Sequence, residues 1–254
     1  LYLEDGSHFD GFAFGASGQT VGEVVFNTSM TGYQEILTDP SYYRQMVTMT
    51  APQIGNYGVN AEDLESNQIY ATGFIIKAAP VRHSNWRANN GLESWLSSKG
   101  MVGICGLDTR SLVRRIRDKG AMKGAIAPRG WSSAQINELL SCEPSMEKRD
   151  LASEVSCAEA FEWSNDHSAL VSDGVSADER RLRVVAVDFG IKENILRLFN
   201  AAGCDVEVVP STTSAASPAS PCPATTDTKL FVSRKIVAST PPNDTEAILL
   251  PCPR

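Results

Sequence analysis

The sequence predicts a mixed α/β protein in which a strand-rich region precedes the start of a doubly wound α/β domain. Before residue 130, short apolar runs rich in β-branched and aromatic residues alternate with glycine turns, a pattern typical of strands. Near residue 182 the pattern becomes strand, helix and strand within about 30 residues, which predicts a parallel βαβ unit. From residue 211 onward the chain has none of its 19 glycines but seven of its 13 prolines, which predicts a disordered tail.

The strands of the first region are predicted from the runs FAFGASG, VGEVVFNTS, QMVTMTAP and YATGFIIKAAP, and from the short apolar run that ends in Cys105. The first helix is predicted where Leu92, Trp95 and Leu96 recur at helical spacing before Gly100.

Residues 107–120 carry a clearer helix signal. Asp108 can cap the amino terminus, and Gly120 can end the helix. The apolar face is formed by Leu112, Val113 and Ile116. The segment SSAQINELLSC predicts a further helix.

The second region begins with the run RLRVVAVDFG, followed by the amphipathic segment IKENILRLFNAAG and the run CDVEVVP. After it, only TKLFVSRKIVAS has the composition of a strand. These signals divide the chain into a first domain at 1–141, a polar linker at 142–181, a truncated second domain at 182–213 and a disordered tail at 214–254.

Composition and short motifs exclude several function classes. The formal net charge of −7 argues against nucleic acid as a partner, and no apolar run reaches the length of about 18 residues that a membrane span needs. The missing membrane span predicts a soluble protein. The six cysteines form no CxxC pair, which predicts a reducing compartment and no zinc site. No phosphate-binding glycine motif is present, so we expect no nucleotide or other cofactor on this chain.

Asp188 opens the sequence Asp-Phe-Gly, which is also the metal-binding motif of protein kinases. The other kinase motifs are missing from the sequence. We therefore interpret Asp188 as the end of a strand that turns into a helix.

Cys105 stands between a predicted strand and a predicted helix, where a nucleophile would be exposed near helix-terminal N–H groups. A reactive thiol also needs a base, and His8, His83 and His167 lie in polar loops without a recurring pattern. Two hypotheses remain open at this point: Cys105 is a nucleophile, or it is a small core residue.

Residues 27–42, NTSMTGYQEILTDPSY, form a polar stretch bordered by predicted strands. Gly32 permits a sharp turn, and the segment TDPS is typical of a helix start capped by Asp39 or Ser41.

Residues 21–47 closely resemble the amino-terminal domain of the small chain of glutamine-hydrolysing carbamoyl-phosphate synthase. The resemblance continues through four further stretches and covers roughly residues 1–213. These stretches are QIGNYGVNAEDLES (53–66), SNWR (84–87), LDTRSLVRRIRDKGAMKG (107–124) and VVAVDFGIKENILRLFNAAGCDVEVVPS (184–211).

The resemblance implies a swivelling β/β/α amino-terminal domain and a flavodoxin-like class I glutamine amidotransferase domain. It implies a ligase subunit that releases ammonia from L-glutamine and passes it to a large synthetase chain, where bicarbonate and ATP complete carbamoyl phosphate for pyrimidine and arginine biosynthesis. ATP and metal are expected on the large chain, and the location is expected to be cytoplasmic, or the plastid stroma in a plant or alga.

The resemblance assigns one binding residue here: Ser41 matches the serine of the family's T-D-P-S-Y segment that contacts glutamine. The family's nucleophile motif G-[IV]-C-L-G-H-Q, its S-N-G-P-G-D-P loop and its late histidine and glutamate have no counterpart in these 254 residues. We therefore expect no catalytic residue and no glutamine hydrolysis, and Cys105 is not the family's nucleophile. The alternatives are a non-catalytic module that binds the large chain and a small cysteine hydrolase that uses Cys105.

Overall fold

The computed structural model describes residues 1–164 and 182–214 and the backbone of one further strand at 228–232. The chain forms two compact units, Leu1–Arg149 and a second that begins at Asp150. The predicted linker at 142–181 thus begins inside the first unit.

The first unit is built on one seven-stranded sheet. Its strands, in chain order, are β1 (Tyr2–Leu3), β2 (Phe12–Gly15), β3 (Thr20–Asn27), β4 (Gln45–Met49), β5 (Gly73–Ile75), β6 (Val102–Cys105) and β7 (Met122–Ile126). They are arranged in the order β1-β7-β3-β4-β5-β6-β2. The four strands from β3 to β6 are mutually parallel, and the three outer pairings are antiparallel.

Four helices accompany this sheet: α1 (Tyr33–Thr38), α2 (Leu92–Ser98), α3 (Thr109–Lys119) and α4 (Ser133–Cys142). Neighbouring residues of β4 belong to different apolar clusters, as the alternation of side chains along a strand requires. Val47 lies in the cluster that includes α1 and α2, and Met46 lies in the cluster that includes α3.

The predicted helix signals are confirmed in α3. The Asp108 carboxylate accepts a hydrogen bond from the Ser111 amide at 3.0 Å, and the helix ends at Gly120 with a φ of 92°. Leu112 and Ile116 are buried, whereas Val113 is only half-buried. The sequence was sufficient to predict α3 because the capping residues and the apolar face both lie within one short segment.

The second unit contains the predicted βαβ unit: β9 (Leu182–Asp188), α6 (Glu193–Ala201) and β10 (Cys204–Pro210). The two strands are parallel, and Leu196 of α6 is buried in the same apolar cluster as Val206 of β10.

Three elements of the second unit lie within the predicted linker and tail. The predicted linker holds α5 (Leu151–Glu154) and β8 (Phe161–Trp163), and the predicted tail holds β11 (Thr228–Val232). The linker prediction missed α5 and β8, and β8 is a strand because it pairs with β10, a pairing that leaves no local signal. β11 lies within TKLFVSRKIVAS, the run of the tail whose composition predicted a strand, and it pairs with β9. The rest of the tail from 215 onward lies outside the described residues.

Candidate functional site

The stretch at 27–42 runs from the end of β3 through α1 to a three-residue 3₁₀ turn at Pro40–Tyr42. The predicted helix start at TDPS is confirmed as this short 3₁₀ turn, which ends at Tyr42, three residues before β4 begins. Of the two candidate caps, Asp39 and Ser41, Asp39 forms the cap: it is buried and accepts a hydrogen bond from the Ser41 amide at 2.8 Å. The backbone at Ser41 is therefore fixed.

The Ser41 side chain is exposed, and no hydrogen bond among the described residues uses its hydroxyl. A hydroxyl is both a donor and an acceptor. The turn therefore presents a polar group that is free to meet a ligand, on a backbone that is already ordered.

The amino terminus of α1 is capped from another part of the chain. The Tyr57 hydroxyl accepts hydrogen bonds from the amides of Gly32 at 2.6 Å and Tyr33 at 3.3 Å. The two tyrosine rings stack with their centroids 4.3 Å apart, and the Tyr33 hydroxyl donates to the Gly58 carbonyl at 2.5 Å. This contact was not predicted, since a cap 24 residues away from its helix has no sequence signature.

Two further residues of α1 hold the loop that follows Tyr57. Gln34 is fully buried and exchanges two hydrogen bonds with the backbone of Asn60, at 2.5 and 3.0 Å. The Thr38 hydroxyl accepts from the Glu65 amide at 2.9 Å, and the Ser66 hydroxyl donates to the Thr38 carbonyl at 2.5 Å. Six residues are too few for a stable isolated helix, so these contacts and burial hold α1 in place.

The stretch SNWR attaches to the same loop through Arg87. Its guanidinium lies 2.8 Å from carboxylate oxygens of both Glu62 and Asp63. Asp63 is also fixed by the Asn60 side-chain amide at 2.7 Å. Stretches 27–42, 53–66 and 84–87, which are separate in the sequence, are thereby joined around α1.

Glu35 carries a carboxylate oxygen, Oε2, that is shielded from solvent and has no hydrogen-bond donor among the described residues. Burial raises the pKa of Glu35, and the nearby carboxylates of Asp63 and Glu65 raise it further. The Glu35 backbone amide and the cation of Arg87 lower this pKa, but they do not cancel the increase. The folded chain therefore binds this proton more tightly than the unfolded chain does.

We predict that Glu35→Gln makes the chain more stable at neutral pH. In the unfolded chain the Glu35 carboxyl ionises at about pH 4.3. Below that pH the carboxyl is protonated in both states and costs no stability. As the pH rises through the folded pKa, the loss in free energy of unfolding that this carboxylate causes grows to its full size. Urea unfolding between pH 4 and pH 8 should show the largest gain in free energy of unfolding at pH 8 and almost none at pH 4. The exposed Glu138→Gln change is the control, and an equal gain for both variants at every pH would contradict the prediction.

Cys105 is half-buried at the end of β6 and packs against the apolar cluster that includes Phe74. Burial raises the pKa of the Cys105 thiol, and the carboxylate of Glu93 adds to that increase. None of the hydrogen bonds within the described part of the chain joins Cys105 to a histidine. A catalytic thiol needs a lowered pKa, so this environment favours the core hypothesis.

We predict that native Cys105 resists alkylation, because both burial and a high pKa lower its thiolate population. Cys142 is exposed and serves as the internal control in the same molecule. Timed iodoacetamide labelling at pH 7.5, followed by peptide mass spectrometry, should modify Cys142 at least about tenfold faster. Faster labelling of Cys105 would revive the nucleophile hypothesis.

The carboxylate of Asp188 is buried and bonds to backbone amides. Oδ1 accepts from Gly190 and Ile191, both at 2.8 Å, and Oδ2 accepts from Cys157 at 2.7 Å. These bonds order the loop between β9 and α6. The interpretation of Asp188 as a strand end that turns into a helix is confirmed.

The described part of the chain offers neither a metal site nor a membrane-spanning helix. Within residues 1–164 and 182–214, no group of three or more His, Cys, Asp or Glu side chains could hold a metal ion. None of the helices in those same ranges is long and apolar enough to cross a membrane.

Comparison with known proteins points to one family. Residues 1–126 match the family described as carbamoyl-phosphate synthase small chain, CPSase domain. The carbamoyl phosphate synthase small chain of Pasteurella multocida is 50% identical over 215 residues, which are 85% of this chain and 56% of that protein. The corresponding proteins of Syntrophotalea carbinolica and Neisseria meningitidis are 52% and 51% identical, again over 85% of this chain and 57% of theirs. The chain thus spans a little more than half the length of these relatives.

Proposed function

Because the chain belongs to the family of carbamoyl-phosphate synthase small chains, we propose that its first unit contributes a glutamine contact and binds a large synthetase chain. The geometry of the turn at Ser41 supports the proposed glutamine contact. Its hydroxyl is exposed and takes part in none of the described hydrogen bonds, while Asp39 holds its backbone at 2.8 Å. An ordered polar group loses little conformational freedom when it binds a ligand.

The chemistry proposed for the whole enzyme is thiolate attack on the side-chain amide of glutamine, with release of ammonia. Ser41 would orient the substrate by a hydrogen bond and take no part in bond breaking. The nucleophile motif and its histidine are absent from these 254 residues. We therefore propose that this stretch of chain does not hydrolyse glutamine by itself, and that ATP and metal bind the large chain.

The test is to mix this chain with a large synthetase chain and to measure carbamoyl phosphate formation from glutamine and from ammonia. We expect the two chains to co-purify and ammonia to support synthesis, whereas glutamine does not. The large chain alone, with each nitrogen source, is the control.

Each departure from this result has one meaning. Failure of the chains to co-purify would contradict the proposed partner. Synthesis from glutamine would contradict the proposed inactivity, and Cys105 would then be the first residue to replace.

A further inference from the structure

The outer face of α3 is strongly basic. Arg110, Arg114 and Arg117 are exposed and lie at spacings of four and three residues, so their side chains share one helix face. The opposite face carries the buried Leu112 and Ile116. The helix as a whole holds five cations and one carboxylate, a net charge of +4, in a chain of net charge −7.

The described residues neutralise only part of this charge. Asp5 lies 2.7 Å from Arg115 and 2.9 Å from Lys119, and Arg117 lies 3.0 Å from Asp118. No ion pair or hydrogen bond in the described part of the chain involves the side chain of Arg110 or Arg114. Both arginines are exposed, and their charge is not neutralised by any of the described residues.

Both charges act against the helix that carries them. Arg110 stands in the first turn, where the positive end of the helix dipole repels a cation. Arg110 and Arg114 also repel each other at a spacing of four residues. No contact within the described part of the chain gives either arginine a role in folding.

We propose that Arg110, Arg114 and Arg117 form a docking face for a carboxylate-rich surface of the large synthetase chain. This inference rests on the proposed function, and it adds which surface is used and the chemistry that the surface recognises. The planar guanidinium binds a carboxylate through two parallel N–H···O bonds, and complementary charge accelerates association.

A protein surface fits this face better than a nucleic acid does. The three arginines span only about 10 Å along the helix, since each residue rises about 1.5 Å. A phosphate backbone extends well beyond that length and would meet the remainder of an acidic chain, which repels it. A cluster of carboxylates matches both the size and the charge of the face.

The test compares three forms of the whole 254-residue chain: the unchanged chain, the double variant Arg110→Ala/Arg114→Ala, and the control Arg82→Ala/Arg129→Ala. The control removes the same charge at exposed positions outside α3. Association with immobilised large chain is measured at 50, 150 and 500 mM NaCl. We expect the α3 double variant to associate about tenfold more slowly at 50 mM NaCl, with a flatter salt dependence, and the control to stay within about twofold of the unchanged chain.

Loss of structure would not explain this result. Alanine favours the helix and removes the repulsion, so the thermal midpoint of the α3 double variant should equal or exceed that of the unchanged chain. The same three proteins are also tested against duplex DNA at 150 mM NaCl, and we expect no binding.

The outcomes separate the two proposals. Equal association of the α3 double variant and the unchanged chain would overturn the docking face and leave the proposed function intact. No association of the unchanged chain with the large chain would overturn both. Binding to duplex DNA that depends on Arg110 and Arg114 would assign the face to phosphates and overturn the inference.

Discussion

Asp188→Ala is expected to destabilise the second unit by about 3 kcal/mol, because it removes a buried carboxylate that accepts three backbone hydrogen bonds. The amides of Gly190, Ile191 and Cys157 would lose their acceptor, and buried donors without partners are costly. In hydrogen-exchange mass spectrometry, protection of β9 and β10 should fall by about two orders of magnitude.

Two variants make this result specific. Asp188→Asn keeps one acceptor oxygen and should cause an intermediate loss of protection, whereas Glu159→Ala, at an exposed position of the same unit, should cause none. Unchanged exchange in Asp188→Ala would show that the loop between β9 and α6 does not depend on this carboxylate.

Ser41→Ala is expected to raise the KM for glutamine by about tenfold in a form of this chain that continues through the family's nucleophile motif. A single hydrogen bond to a polar ligand contributes about 1–1.5 kcal/mol. The kcat should remain nearly unchanged, because the proposed role of Ser41 is to hold the substrate and not to act on the scissile bond.

The matched control is Ser97→Ala, which removes a hydroxyl from another exposed serine, in α2. Both variants should keep the thermal midpoint of the parent, since the described hydrogen bonds do not use either side chain. Steady-state kinetics with the large chain present measure both constants. Identical KM values for parent and Ser41→Ala would reject the glutamine contact.

The sequence predicted best those elements whose stability is local. In α3 the Asp108 cap, the Leu112 and Ile116 face and the terminal Gly120 all lie within one segment, so periodicity and capping residues were sufficient. The βαβ unit was predicted for the same reason, because its apolar runs and its helix follow one another directly.

The elements that the sequence did not predict depend on distant partners. β8 has only three residues in a polar segment, and it is a strand because it pairs with Val206 and its neighbours on β10. α1 has no side-chain cap of its own and begins where the Tyr57 hydroxyl accepts its first amides. Short elements of this kind gain stability from tertiary contacts and not from propensity.

By itself, the sequence determined the mixed α/β class, the strand and helix order of most of the chain, and the family resemblance. It also placed Ser41 two residues after Asp39, one of the two candidate caps. Only the tertiary structure decided which oxygen caps α1, that stretches 27–42, 53–66 and 84–87 meet, and that the Cys105 thiol has a raised pKa. It also decided that Arg115 has an acidic partner among the described residues, whereas Arg110 and Arg114 have none there. The physical reason is that capping motifs and periodic faces are recorded in adjacent residues. Burial, pKa shifts and charge pairing depend on residues that only folding brings together.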